Sequence, residues 1–218
     1  MKRRFLLTGL PLLGAVALGL SMPAAWAVEE APDALIGRLT QEALDIIRAD
    51  KGVQAGDVGR IMELLDQKVM PFLDFQRMTA SAVGPAWRQA TPDQRTRLQT
   101  EFKNLLVRTY SGAMSQAKDL TFSLKPMRSA PGDKDVIVRT LIKGRGDPVQ
   151  LDYRLEKTPG EGSGWKIYDL NVLGVWLVDT YRSQFSQEIN AKGIDGLIAT
   201  LSERNKANAA GVTKPAKG

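Results

Sequence analysis

Neither cysteine nor histidine occurs among the 218 residues. The first absence excludes disulfides and thiolate nucleophiles. The second excludes imidazole acid–base chemistry, and together they exclude the usual triads and ordinary zinc ligation. No Gly-rich phosphate cradle of the GxxxxGK[ST] or GxGxxG form is present. Carboxylates are what remains for proton transfer. Asp152 and Glu156 alternate with apolar residues in a strand pattern and are expected to be solvated. Asp169 and Asp179 are better placed, but neither has an evident partner. Arg145-Gly146-Asp147 spells an adhesion-like tripeptide, yet Gly144 to Pro148 lies between two strand patterns and reads as a hairpin turn. Internal repeats are absent, and beyond the N-terminus no apolar run is long enough to span a bilayer.

The N-terminus itself reads as an address. Lys2, Arg3 and Arg4 precede an apolar run from Phe5 to Leu20, and Ala25-Trp26-Ala27 gives a small-x-small pattern. This predicts a secretory signal over 1–27, cleaved after Ala27. The Arg pair faintly resembles a twin-arginine signal, and the lack of cysteine excludes a lipoprotein type. Losing Lys2, Arg3 and Arg4 lowers the formal charge from +6 to +3. That modest basic balance on an exported chain argues against nucleic acid and suits transient contact with anionic lipid head groups. The remaining length fits one domain over 28–206, followed by a small, polar, Lys- and Pro-containing tail over 207–218 that is expected to be disordered. Without disulfides that domain must be held by burial.

Helical periodicity comes first along the chain. Ala34 to Ala49 places Leu35, Leu39, Ala43, Ile46 and Ile47 on one face, and Val58 to Val69 forms a second helix ended by Pro71. Asp74 caps a short third helix containing Phe75, Met78 and Ala82, which Gly84 and Pro85 close. Thr91-Pro92-Asp93-Gln94 is a capping box with proline at the first helical position. The helix it opens runs to Ala117 with Leu98, Phe102, Leu105, Leu106, Tyr110, Ala113 and Met114 as its buried stripe. The period then switches to two. Strands are predicted from Leu120, over Val136 to Lys143, over Val149 to Glu156 and over Trp165 to Leu173. The last runs through Gly174 into a helix that sets Val175, Val178, Tyr181, Arg182 and Phe185 on one face, and a further helix follows Gly193. Helices, then a meander with one wet face, then helices give an α+β domain with helices wrapped on one side of a curved antiparallel sheet.

Several segments together carry a family resemblance. Val69-Met70-Pro71-Phe72-Leu73-Asp74-Phe75, then Met78, Gly84 and Trp87, resemble a run typical of the periplasmic MlaC (toluene-tolerance) proteins. The match continues through Gln94, Phe102, Leu105-Leu106 and Arg108-Thr109-Tyr110. It resumes at Gly164-Trp165-Lys166-Ile167-Tyr168-Asp169, Tyr181-Arg182-Ser183-Gln184-Phe185 and Gly193-Ile194-Asp195-Gly196-Leu197-Ile198. The order and spacing of these pieces cover nearly all of the chain after the signal. The resemblance implies an NTF2-like shape enclosing an apolar cavity, and a monomeric carrier that shuttles phospholipid between outer and inner membranes to maintain outer-membrane lipid asymmetry. It implies as partners an inner-membrane ABC transporter with an MCE-domain ring and an outer-membrane lipoprotein–porin complex. It implies no cofactor. Trp176 stands where such proteins usually carry a small polar residue, and Leu173 where a carboxylate is common. Both make the sheet-to-helix junction more apolar, which leaves a hopanoid as an alternative lipid.

Acyl chains need only dry apolar surface. At ~0.8 kcal/mol per buried CH₂, a chain of about 16 carbons needs on the order of 12 kcal/mol of shelter, which a bilayer also supplies, so exchange can run near balance. The expected lipid-contacting residues on the sheet are Val136, Val138, Leu151, Tyr153, Val172 and Val175. On the helices they are Phe102, Leu106, Tyr110, Leu177, Tyr181 and Phe185, with Phe72, Phe75 and Met78 as a movable edge between Pro71 and Gly84. Arg77, Arg88, Lys103, Arg108 and Arg182 are candidates for a head-group phosphate. Two other readings stand beside the carrier. One is an NTF2-like isomerase using Asp169 with Tyr168 or Tyr153, weakened because neighbouring strand residues face opposite ways. The other is a chaperone for unfolded envelope proteins.

Overall fold

The computed structural model describes residues 30–209 except 129, 131 and 145. The expected signal over 1–27, Arg145 of the tripeptide and the chain beyond 209 lie outside the described residues. Six α-helices and five strands are described: α1 (Pro32–Ala49), α2 (Lys51–Gln54), α3 (Val58–Lys68), α4 (Phe75–Val83), α5 (Pro92–Ser115), β1 (Thr121–Leu124), β2 (Asp135–Lys143), β3 (Val149–Lys157), β4 (Trp165–Val172), β5 (Val175–Trp176) and α6 (Leu177–Ala209). The strands form one open antiparallel sheet in chain order β1-β2-β3-β4-β5. This is the expected α+β architecture. Among the described residues no helix is long and apolar enough to cross a membrane.

Local chemistry sets most helix starts. The Thr91 hydroxyl accepts from the Gln94 amide while the Gln94 side chain accepts from the Thr91 amide, closing the capping box at α5. The Asp57 and Asp74 carboxylates accept from the amides of Arg60 and Arg77 at the heads of α3 and α4. Gly193, at φ 70° and ψ −173°, breaks α6 into two arms in a conformation that only glycine holds without strain.

Three apolar clusters result. The largest gathers Phe75 and Met78 of α4, Leu98, Phe102 and Leu105 of α5, and Leu177, Val178, Tyr181, Phe185, Leu197, Ile198 and Leu201 of α6. Phe102 is its hub, with ring centroids 5.7, 4.9 and 5.3 Å from Phe75, Tyr181 and Phe185. The second joins Leu35 and Ile36 of α1 to Val136, Val138, Leu155, Trp165 and Ile167 of the sheet. The third, Val53, Ile61 and Val107, ties α2 and α3 to the back of α5.

On α1 Leu35, Ile36 and Leu44 are buried, and the expected Leu39, Ile46 and Ile47 are partly buried against the second and third clusters. Three expectations are corrected here. Val107, not Ala113, is buried on α5, since α2 and α3 pack on the face opposite Phe102. Val175 belongs to β5, a short return strand paired with Val172, so α6 begins at Leu177 and Arg182 is exposed on it. α6 runs to Ala209, so 207–209 is helix rather than tail.

Candidate functional site

Directly paired residues share a face of an antiparallel sheet, so the register defines the inner surface row by row. The first row, Val136–Leu155–Ile167, is sealed under α1 and the second cluster. The next, Val138–Tyr153–Leu170, is closed at Val138 but leaves Tyr153 and Leu170 partly accessible. A third row crosses all five strands as Leu124–Thr140–Leu151–Val172–Val175. Thr140 is buried in it, Leu151 and Val172 are half-buried, and the ends at Leu124 and Val175 are 40% and 53% exposed. Last come Phe122, Ile142 and Val149, all half-buried. The inner face therefore passes from sealed to open along the strands, and among the described residues it is apolar except at Thr140, Tyr153 and, at the sealed end opposite Trp165, Lys157.

Helices wall this opening face. Leu106 and Tyr110 lie on the edge of the α5 stripe that turns away from Phe102, and both remain partly accessible while packing against the largest cluster. Leu39 of α1 and Phe72 do the same beside the second cluster, and the Arg38 guanidinium lies over the Phe72 ring at 5.2 Å. Tyr153 lies deepest on the part of this face that stays accessible. Burial pushes its phenol above the ordinary range, against side-chain hydrogen bonds to Thr140 and Thr40 that act the other way, and its surface stays partly accessible.

The expected site residues thus divide. Leu106, Tyr110 and Val172 are partly buried against the largest cluster, Phe72 and Tyr153 against the second, and Leu151 is half-buried in the third row of the sheet. Phe75, Met78, Phe102, Leu177, Tyr181 and Phe185 are sealed in the largest cluster, and Val136 and Val138 in the second. Val175 stands exposed at the outer end of the third row. The edge expected to move is joined to β4 by three contacts. Leu73 bridges to Ile167, the Asp74 amide donates to the Ile167 carbonyl at 2.8 Å, and the Lys166 ammonium donates to the Pro71 carbonyl. Leu39, Met70 and Leu170, which sequence reasoning did not name as site residues, are likewise partly buried against these clusters. Alternation from Ile167 would have turned Leu170 outward; the register brings it inward.

The outer face of the sheet is more buried than its polar sequence suggested. Asp152, expected to be solvated, is 9% exposed and accepts from Gln150, with Arg139 3.6 Å away. Glu156 pairs with Arg77 and sits against Asp74; desolvation and that neighbour raise its pKa. Asp169 is 1% exposed, and desolvation raises its pKa as well. Its carboxylate accepts from Arg154 at 3.0 Å, from the Leu170 amide, and from the Val178 amide in the first turn of α6. It is therefore a buried cap that joins sheet to helix.

A β-bulge puts it there. Leu155 pairs with Ile167 but Arg154 pairs with Asp169, so Tyr168 is an extra residue on β4. Ile167 is thereby inner, Asp169 and Asn171 outer, and Leu170 and Val172 inner again. The alternation argument used to separate Tyr168 from Asp169 fails at this one pair. Of the candidate cations, Arg77 and Arg182 line one cavity with Ser81 and Gly84, Arg77 stacking on Tyr168 at 3.6 Å and Arg182 donating to the Ser81 carbonyl, while Lys103 pairs with Asp66.

Comparison with known proteins now bears on this apolar interior. The model of the family described as MlaC protein matches residues 37–203. The chain belongs to the MlaC family. Among solved structures, a phospholipid-binding protein from Ralstonia solanacearum, determined in complex with a phospholipid, superposes with a TM-score of 0.79 at 41% identity, covering 83% of this chain and 99% of that one. The toluene tolerance protein ttg2D of Pseudomonas putida is 23% identical over 84% of each chain. The MlaC binding protein of the Haemophilus influenzae intermembrane phospholipid transport system is 20% identical over 80% of this chain and 82% of its own. Within the MlaC family, then, this member combines a sealed aromatic hub with an inner sheet face that opens at one end.

Proposed function

We propose that this protein is a periplasmic phospholipid carrier, holding acyl chains against the opening inner face of its sheet with the head group toward solvent. The observation that carries the reading is that face, apolar and partly accessible in a chain 41% identical to a protein solved with a phospholipid bound. The tails would lie along Leu151, Tyr153, Leu170 and Val172, under Leu106 and Tyr110 of α5. Holding and releasing a lipid in this way requires dry surface and no proton transfer. The isomerase alternative asks for a carboxylate within the apolar space, and Asp169 is on the outer face, committed to Arg154 and the α6 amides. We therefore read the chain as a binding protein with no catalytic residue. Exchange partners would be membrane-bound complexes of the inner and outer membranes, as the family name implies.

Native mass spectrometry of the purified protein tests this. One lipid-sized mass shift, removed by organic extraction and identified as phospholipid, is the expected result. A protein that stays empty after incubation with phospholipid vesicles would refute it. A hopanoid released in place of phospholipid would keep the carrier and change its cargo.

A further inference from the structure

The turn joining β4 to β5 carries a feature that lipid storage does not use. Leu173 and Gly174 form a two-residue hairpin loop, both at positive φ, 55° and 88°. This is the backbone that Asn-Gly or Asp-Gly adopts at least cost. Leu173 is the one non-glycine residue at positive φ among the described residues, and its apolar side chain is 68% exposed. A leucine in that position is strained and gains no burial within the chain. Val175, beside it on β5, is 53% exposed, and Trp176 is partly exposed with the Arg154 guanidinium 3.8 Å from its ring. Strain, exposed apolar side chains and a tryptophan at the polar boundary coincide at a single tip.

We propose that this hairpin tip inserts into the interfacial layer of a phospholipid bilayer. Three observations select a bilayer over a protein partner. The exposed surface of Leu173 and Val175 is on the order of 200 Å², about a quarter of the ~800 Å² that each partner brings to a stable protein interface. The tip is narrow and convex, which a fluid layer accommodates. It is also continuous with the inner wall: Val172 precedes Leu173 directly, and Val175 pairs with Val172 in the third row. Seated at the tip, the open end of the sheet faces the layer from which an acyl chain would come. The strand cations Arg139 and Arg154 are paired with Asp152 and Asp169, and the Lys125 ammonium donates to the side chain of Gln150, whose main-chain carbonyl accepts from the Leu173 amide. Insertion is therefore apolar and tolerates salt.

The test is co-sedimentation with sucrose-loaded vesicles, one set of phosphatidylcholine and one containing a quarter phosphatidylglycerol, at low salt and at about 0.5 M salt, where surface charges are screened. The variant is Leu173→Asn with Val175→Thr, which keeps the turn geometry and the β-branched strand residue. The wild-type protein should sediment with both vesicle sets at both salt levels. The variant should partition about tenfold less or weaker still, with a melting temperature no lower than wild type, because asparagine tolerates positive φ. Equal sedimentation of the two proteins, or none by wild type, overturns the proposal. So does sedimentation confined to the phosphatidylglycerol vesicles and lost in salt. Native mass spectrometry of both proteins separates this result from the carrier reading. A variant that is loaded with phospholipid yet fails to sediment supports the tip, whereas a wild-type protein that sediments while always empty sinks the carrier and leaves the tip standing.

Discussion

Phe102 and Leu106 lie one helical turn apart on α5, and their environments predict opposite responses to truncation. Phe102 is fully buried, with three aromatic rings within 5.7 Å between centroids. Phe102→Ala removes a large side chain from a site whose ring neighbours sit on two other helices, α4 and α6, and cannot all collapse inward. The cost is about 3–5 kcal/mol. For a domain of this size that corresponds to a melting temperature lower by roughly 10–15 °C. Leu106 is already partly accessible, and in the proposed carrier it meets the acyl tails. Its truncation then removes little buried contact, so Leu106→Ala should cost only about 1 kcal/mol in protein stripped of lipid. Leu106→Trp should instead occupy the place of the tails and reduce the phospholipid retained, with little loss of stability. Chemical denaturation of delipidated proteins measures the first pair of values, and native mass spectrometry measures loading. If Leu106→Ala destabilises as much as Phe102→Ala, Leu106 is packed core and no tail lies beside it. Full loading of Leu106→Trp would refute the placement of the tails.

Three further outcomes are expected. Asp169→Ala leaves the Val178 amide and Arg154 without their acceptor and should cost about 3–5 kcal/mol in denaturant unfolding, whereas Asp169→Asn, which keeps an acceptor for the amide, should cost less than half of that. All four tyrosines, Tyr110, Tyr153, Tyr168 and Tyr181, have phenols raised chiefly by burial, Tyr181 to about 12. Because the folded-state values exceed the unfolded ones, this contribution is complete below the ordinary value of ~10 and is lost as the pH rises toward 12. An absorbance titration should show phenolate appearing late and together with unfolding; early, reversible ionisation of the native protein would contradict the burial. Gly193→Ala forces a side chain onto a backbone only glycine holds comfortably and should destabilise by about 1–3 kcal/mol, read from thermal melts, by disturbing the junction between the two arms of α6.

Elements governed by neighbours in sequence were readable in advance. The capping box at Thr91 and the Asp74 cap involve residues three apart, and β2 and β3 alternate cleanly because one face of each is apolar. What escaped depends on contacts distant in the chain. The bulge at Tyr168 exists only in the register against Arg154 and Leu155. β5 is two residues long, and its turn has leucine where a hairpin signal would show asparagine or aspartate. The outer-face carboxylates looked solvated because their basic partners sit on other strands and on α4. Of the site, the apolar composition was readable but the partition between wall and core was not. Leu106 and Phe102 satisfy the same helical pattern, and only the positions of α4, α6 and the sheet decide which of them meets solid protein.

The unpaired residue on β4 decides what the inner face offers. With Tyr168 outside the ladder, the strand shows leucine and valine to the interior and turns Asp169 and Asn171 outward. Were Tyr168 to take a paired place in that ladder, strict alternation would slip by one and exchange the two pairs, bringing a carboxylate and an amide to the inner face. One residue left out of register thus separates a surface that is chemically silent toward what it holds from one furnished with a desolvated proton acceptor.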